Sequence, residues 1–164
     1  MMKLAVFIGS ESDFGIVEDA LALLREFDVP FAFEVTSAHR SPERTVRLVR
    51  TLENNGVKVF IAVAGKAAHL AGVVAAHTTL PVIAVPVGSA TLNGLDALLS
   101  SVQMPKGVPV ACMGLGKSGA INAALLAVQM LSLEDSSLAD KLRAYKERLA
   151  VAVEESSRKV QEKL

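Results

Sequence analysis

The segment Ser37-Ala-His-Arg-Ser-Pro42 carries the side chains best suited to chemistry in this sequence. His39 can give and take a proton near neutral pH without unusual tuning. Arg40 presents a planar guanidinium that matches the oxygens of a phosphate, and the Ser37 hydroxyl can bind the same oxygens. Taken singly, Arg40 also fits a surface ion pair and His39 an ordinary loop histidine. Their common position after an apolar run favours a site for proton transfer beside a bound anion.

A second polar corner, Gly9-Ser-Glu-Ser-Asp13, follows the first apolar run. It offers backbone amides at the start of a helix and the hydroxyls of Ser10 and Ser12, an arrangement that holds phosphate. Asp13 would repel a phosphate, so a ribose diol is its better partner. Ser and Asp are also the preferred helix N-cap residues. The glycine spacing fits neither the dinucleotide fingerprint nor the P-loop, so this motif alone leaves capping and ligand binding open.

Small residues form a third corner, Gly65-Lys-Ala-Ala-His-Leu70, where backbone amides can approach a planar ligand or a small acid. His69 and His77 follow on one predicted helix, but no third ligand stands at a workable spacing, so we expect no metal site. The glycine-rich segment 114–119 lacks the spacing of a phosphate-binding loop. It predicts a tight turn before a helix over Ala120–Leu131.

Short apolar runs alternate with amphipathic segments along the whole chain. The predicted strands are Leu4–Ile8, Phe31–Val35, Val57–Val63, Pro81–Val87 and Val108–Cys112. This alternation predicts an α/β fold with a mainly parallel sheet, right-handed crossovers and helices on both faces. Ligands of such sheets bind at the carboxyl ends of the strands, where all three corners fall.

The chain of 164 residues is long enough for one domain with a sizeable core. We expect a single domain over residues 1–164, with its core in 3–132 and a C-terminal helix over 136–162. Thr91–Lys106 is long and apolar for a loop, and the C-terminal helix has an apolar stripe with little domain left to cover. The stripe consists of Leu138, Leu142, Tyr145, Leu149 and Val153. Both segments predict subunit contacts.

Composition excludes several classes of protein. Seventeen basic and seventeen acidic side chains cancel, with no run of either sign, which argues against a nucleic-acid surface. The apolar run Leu4–Ile8 is too short for a signal-peptide core, and no segment approaches a membrane span. Cys112 is the one cysteine, so no internal disulfide can form. We therefore predict a cytoplasmic protein without nucleic-acid or membrane partners.

With these motifs in place, the sequence resembles the N5-carboxyaminoimidazole ribonucleotide mutases of purine (IMP) biosynthesis. The matching stretches run in family order from about residue 4 to 132. They are Gly9–Asp13, Ser37–Pro42, Ala67–Leu70, Leu80–Val87, Leu92–Asp96, Ser101–Pro105 and Asn122–Ala127. The His-Arg corner together with Val-Gln-Met-Pro makes the match specific.

The resemblance implies a three-layer α/β/α sandwich of flavodoxin-like or Rossmann-like type, a homo-octamer with contacts through the C-terminal helix, no metal and no organic cofactor. It implies an isomerase that moves a carboxylate from the exocyclic nitrogen of an aminoimidazole ribonucleotide to ring carbon 4, by decarboxylation and recarboxylation. His39 would be the proton shuttle. The implied substrate-binding residues are Ser10, Ser12, Asp13, Ser37 and Arg40 for phosphate and ribose, and Gly65, Ala67, Ala68, His69 and Leu70 around the base and carboxylate.

Two departures from the family pattern keep alternatives open. The chain has Lys66 where mutases usually have a second glycine, and Ala71 where they usually have proline. A basic residue at position 66 is similar to the related carboxylases that use free carbon dioxide, although those usually carry lysine at the position of Arg40. A direct carboxylase is therefore the first alternative. A nucleotide-binding regulatory module without turnover is the second, from another class of protein.

Overall fold

The structure is a computed structural model that describes residues 2–164. Strands and helices alternate as the sequence predicts. In chain order they are β1 (Leu4–Ile8), a 3₁₀ turn (Glu11–Asp13), α1 (Phe14–Glu26), β2 (Phe31–Val35), α2 (Pro42–Asn54), β3 (Val59–Gly65), α3 (Leu70–Ala75), β4 (Val82–Val87), α4 (Leu95–Val102), β5 (Ala111–Cys112), α5 (Gly116–Ser132) and α6 (Ser136–Gln161).

The five strands form one parallel sheet in the order β2-β1-β3-β4-β5. This flavodoxin-like arrangement confirms the predicted fold class. Strand β1 is buried along its whole length, and β3 and β4 are buried except at their last residues. Their continuous apolar sequences follow from this burial, because a parallel sheet is covered by helices on both faces. The carboxyl ends of β1, β3 and β4 therefore open on the same edge.

Two apolar clusters fill the space between the sheet and its helices. Alternate strand residues such as Val6 and Ile61 pack against α1, α5 and the start of α6. The intervening residues, among them Phe7 and Phe60, pack against α2 and α3. Because strand side chains alternate between faces, these two clusters make the three-layer α/β/α sandwich.

Some element boundaries differ from the predicted ones. Thr91–Lys106 is not simply a loop, since α4 occupies its centre; Leu92, Leu95, Leu99 and Val102 are each about half exposed along it. Strand β3 begins two residues late because the N–H of Val57 bonds the carbonyl of Leu52, at the end of α2. Strand β5 has only two residues, since its register with β4 stops at Ala111 and Cys112.

The structure gives a steric reason for glycine in the segment after β5. Helix α5 begins at Gly116, four residues before the predicted start. A Cβ atom on Gly119 would lie 1.7 Å from the carbonyl oxygen of Gly114, so no larger residue fits there. The predicted turn is therefore mostly the first turn of α5, and Gly119 lets the backbone of this helix pack directly against that of Gly114.

Helix α6 divides into two halves. Leu138 is buried, and Leu142 and Tyr145 pack on the cluster beneath α1 and α5. From Lys146 onward every residue of the chain is exposed, including Leu149 and Val153 of the predicted stripe. None of the helices within residues 2–164 combines the length and the apolar character that crossing a membrane requires.

Candidate active site

A cavity of about 710 Å³ opens at the carboxyl edge of the sheet and collects most of the predicted site residues. Those in its wall are Ser10, Ser12, Asp13, Ser37, His39, Arg40, Gly65, Ala67 and Leu70. Ala68 is buried behind this wall, and His69 contacts the site through His39. The topology brings these distant residues together because β1, β2 and β3 are neighbours in one parallel sheet.

The corner after β1 combines capping with an open polar surface. Ser10 caps the 3₁₀ turn, its Oγ accepting the N–H of Ser12 at 3.4 Å. The hydroxyl of Ser12 donates to the same Oγ at 3.0 Å. Asp13 stands at the N-cap position of α1 but makes no side-chain capping bond. Capping therefore accounts for Ser10 and leaves Asp13 available to a ligand.

Asp13 is a buried carboxyl in the cavity wall. Burial raises the pKa of Asp13 above its ordinary value, while the neighbouring Ser10 and Ser12 act in the opposite direction. Burial without a counter-cation disfavours the charged form. A neutral donor such as a ribose hydroxyl suits this carboxyl better than an anion does.

The corner after β2 fixes a guanidinium across two strands. The Oγ of Ser37 accepts the backbone N–H of Arg40 at 3.1 Å and lies 3.5 Å from its Nε. The Nη2 of Arg40 donates to the carbonyl of Gly9 at 3.2 Å. Arg40 thus reaches from the β2 corner to the β1 corner, beside the hydroxyls of Ser10 and Ser12. These groups together form a cationic, donor-rich end of the cavity, which is the chemistry that binds phosphate.

Buried hydroxyls support this corner from below. Thr36 and Thr45 are both buried and share a hydrogen bond of 2.8 Å between their Oγ1 atoms. The Oγ of Ser41 accepts the N–H of Ser37 at 3.1 Å and donates to the carbonyl of Ser37 at 3.2 Å. Pro42 starts α2 directly afterwards, where its fixed φ suits a first helical turn. The loop that carries His39 and Arg40 is therefore tied to the helix that follows it.

Two imidazoles meet at the mouth of the cavity. The Nε2 of His39 lies 2.8 Å from the Nδ1 of His69, and the rings are nearly perpendicular with centroids 4.9 Å apart. One ring must donate and the other accept, so each tautomer of His39 fixes the tautomer of His69. A pair of this kind can pass a proton between its members. His77 takes no part, since it lies in a separate groove between α2 and α3 with its Nδ1 2.8 Å from the carbonyl of Val73.

The corner after β3 is shaped by its backbone. Lys66 has a left-handed conformation, with φ of +56°. The N–H of Ala68 donates to the Oγ of Ser100 on α4 at 3.0 Å, so this amide is not available to a ligand. Leu70, which is buried, starts α3 and closes the floor of the cavity.

Sequence reasoning missed a fourth corner. Gly88, Ser89 and Ala90 follow β4 and line the same cavity. A signal for them was present, because they are small residues directly after a strand that was predicted. Ser100 was also missed, and no sequence pattern pointed to its contact with a loop 32 residues away.

Comparison with known proteins agrees with this architecture. A family model described as AIR carboxylase matches residues 3–152. N5-carboxyaminoimidazole ribonucleotide mutase of Methanocaldococcus jannaschii is 52% identical over 159 residues, which are 97% of this chain and 98% of that protein. The enzyme of the same name from Bacillus subtilis is 51% identical over 152 residues, 93% of this chain and 94% of that one.

Among solved structures, that of Treponema denticola PurE superimposes with a TM-score of 0.87 at 31% identity, covering 97% of this chain and 98% of the other. The family model spans the sheet, the cavity and α6 as far as Ala152. The chain therefore belongs to the AIR carboxylase family.

Proposed function

We propose that the chain is an N5-carboxyaminoimidazole ribonucleotide mutase, an isomerase that acts within one catalytic domain. Relatives about 50% identical carry that name over most of their length. The observation that carries the proposal is the His39 imidazole, which is hydrogen-bonded to His69 and lines one cavity with the Arg40 guanidinium and a set of hydroxyls. One end suits a ribose phosphate and the other suits proton transfer, as this reaction requires.

In the proposed reaction the phosphate binds at the end formed by Arg40, Ser10, Ser12 and Ser37, and the ribose diol donates to Asp13. The base then extends along Gly65 and Ala67 towards the imidazole pair. Gly65 ends β3 beside β4, so little side chain stands between the sheet and a planar ring. Because both ends of the substrate are held, the released carbon dioxide stays next to ring carbon 4. The second step is then effectively unimolecular.

His39 serves as acid and then as base. It gives a proton to the exocyclic nitrogen as the N–C bond of the carbamate breaks and carbon dioxide leaves. The electron pair of the ring then attacks carbon dioxide through carbon 4, and the same imidazole removes the proton from that carbon. The proton count balances over one turnover. His69 keeps the His39 ring oriented, since the two rings share a hydrogen bond of 2.8 Å.

Direct carboxylation of aminoimidazole ribonucleotide is the second candidate, and Lys66 favours it as a cation in the cavity wall. Two assays separate the candidates. In one, the protein receives aminoimidazole ribonucleotide and bicarbonate; in the other, it receives the carbamate substrate without free carbon dioxide. The mutase turns over the carbamate in the second assay. Efficient turnover in the first assay alone would establish the carboxylase instead.

We further propose a homo-oligomer, with a homo-octamer as the expected state, in the cytoplasm. The outer half of α6 is exposed on all sides, and isolated helices of this length are marginal in water. The half-exposed Leu95, Leu99 and Val102 on α4 form a second apolar face. A second copy of this chain is the partner that both faces suit. Light scattering should give eight times the monomer mass, and Leu99→Glu should lower it; a wild-type monomer would contradict the proposal.

A further inference from the structure

Lys66 has a backbone conformation that its side chain does not explain. Its φ of +56° places it in the left-handed region, which the other positive-φ residues of 2–164 enter as glycine, aspartate or asparagine. Short Asp and Asn side chains compensate by bonding to nearby backbone, and glycine has no Cβ to clash. Lysine gains neither advantage. Strained residues of this kind cluster at functional sites, and Lys66 lines the cavity.

The surrounding loop holds this conformation without help from the lysine side chain. Two residues on, the N–H of Ala68 bonds Ser100 of α4. The Lys66 side chain is exposed, and across residues 2–164 no carboxylate oxygen lies within 4.0 Å of its ammonium. The fold thus presents an ammonium at the cavity without neutralising it.

The charges of the cavity divide between two ends. Arg40 is fixed beside the serines of the β1 and β2 corners through Ser37 and Gly9. Lys66 lies at the end of β3, three residues before His69, whose ring bonds His39. The proposed substrate also has two anionic groups, a ribose phosphate and a carboxylate. Arg40 matches the first, and Lys66 stands on the side where the second is transferred.

We infer that Lys66 binds the migrating carboxylate and makes the site discriminate carboxylated nucleotides from the parent nucleotide. This inference rests on the proposed function. The ammonium would bind the carboxylate from the cavity wall, away from the nitrogen and carbon atoms between which it is transferred. It would therefore stabilise the carboxylate in both the substrate and the product.

The test compares two nucleotides that differ in one group, 4-carboxy-5-aminoimidazole ribonucleotide and 5-aminoimidazole ribonucleotide, by calorimetric titration of protein that also carries His39→Asn, so that neither nucleotide is converted. Lys66→Met should weaken binding of the carboxylated nucleotide by about 10-fold or more, because a charge-assisted contact is lost. Binding of the parent nucleotide should change by less than about 2-fold. Lys66→Gly should give the same pattern with a relaxed backbone, which keeps the test valid if the methionine variant folds poorly.

A matched control lies at the other end of the same strand. Lys58 is exposed, precedes β3 and lies at the opposite edge of the sheet, so Lys58→Met should leave both affinities unchanged. Equal weakening of both nucleotides in Lys66→Met, or no change in either, would overturn the inference alone. A wild-type protein that binds neither nucleotide would overturn the proposed function and this inference with it.

Discussion

The two edges of the sheet both hold charged side chains beside a cavity, which at the amino edge is lined by Lys3, Lys58 and Asp135, but the charges are partnered differently. At the amino edge, Lys3 pairs with Asp135 at 3.3 Å, and Asp135 caps α6 by accepting the N–H of Leu138. At the carboxyl edge, Asp13 and Lys66 make no ion pair within residues 2–164, and Arg40 bonds only neutral oxygens. The Lys3–Asp135 pair at the amino edge stabilises the fold, whereas Asp13, Arg40 and Lys66 line the cavity at the carboxyl edge and are available to a ligand. Substitutions at each edge test that difference.

The largest effect is expected at His39. His39→Asn removes the proton shuttle and should lower turnover by about 10²–10⁴-fold while nucleotide binding persists. Steady-state kinetics and titration with the parent nucleotide measure the two quantities. His77→Asn is the control, because His77 lies outside the cavity. A folded His39→Asn protein with near-normal turnover would show that His39 is not the proton shuttle, whereas a wild-type protein that binds nucleotide without turnover would favour a binding module.

Arg40→Met should have the next largest effect. Loss of charge-assisted bonds to phosphate, worth about 1.5–3 kcal/mol, should raise KM by about 10–100-fold. The control is Arg44→Met, since Arg44 pairs with Glu34 at 2.8 Å on the exposed surface and such pairs contribute about 1 kcal/mol or less. If both variants weakened substrate binding equally, the assignment of the phosphate end would be wrong.

Asp13→Asn should stabilise the protein and weaken its hold on the nucleotide. Because burial raises the pKa of Asp13, its carboxyl favours folding below the unfolded pKa, and that contribution is lost as pH rises through the folded pKa. The amide removes this cost at neutral pH, a gain of order 1 kcal/mol or about 2–4 °C in Tm. The gain should vanish in acid. Asp19→Asn, on the exposed face of α1, should show no such pattern.

Asp135→Ala should give the smallest effect and the opposite pH dependence. The N–H of Leu138, together with Lys3, lowers the pKa of Asp135. Its stabilising contribution is therefore present above the unfolded pKa and is lost as pH falls through the folded pKa. Thermal melts should show a slightly lower Tm at neutral pH and no difference in acid, with turnover unchanged. A loss of turnover in this variant would contradict the division between the two edges.

Much of this arrangement was predictable because it depends on local pattern. Alternating apolar and amphipathic segments fix the order of strands and helices, and a parallel sheet brings strand ends together. Ser37, His39 and Arg40 were found since they end a strand and precede Pro42 at a helix start. The same rule applied to β4 would have found Gly88 and Ser89.

Other features depend on contacts between distant residues. The His39–His69 bond joins residues 30 apart, and Ser100 reaches Ala68 across 32 residues. The left-handed backbone of Lys66 is set by the loop around it and not by lysine itself. The early start of α5 depends on how Gly119 meets Gly114. None of these has a signature in spacing alone.

The paired threonines under the β2 corner have a consequence for the energetics of recognition. Thr36 and Thr45 hold the loop from within the core, so the order that a ligand would otherwise impose already exists in the free protein. Ligand binding then loses little free energy to the ordering of this loop. The hydrogen-bonded amides of Ser37, Arg40 and Ser41 should accordingly exchange slowly before any nucleotide is added, and nucleotide should slow them little further.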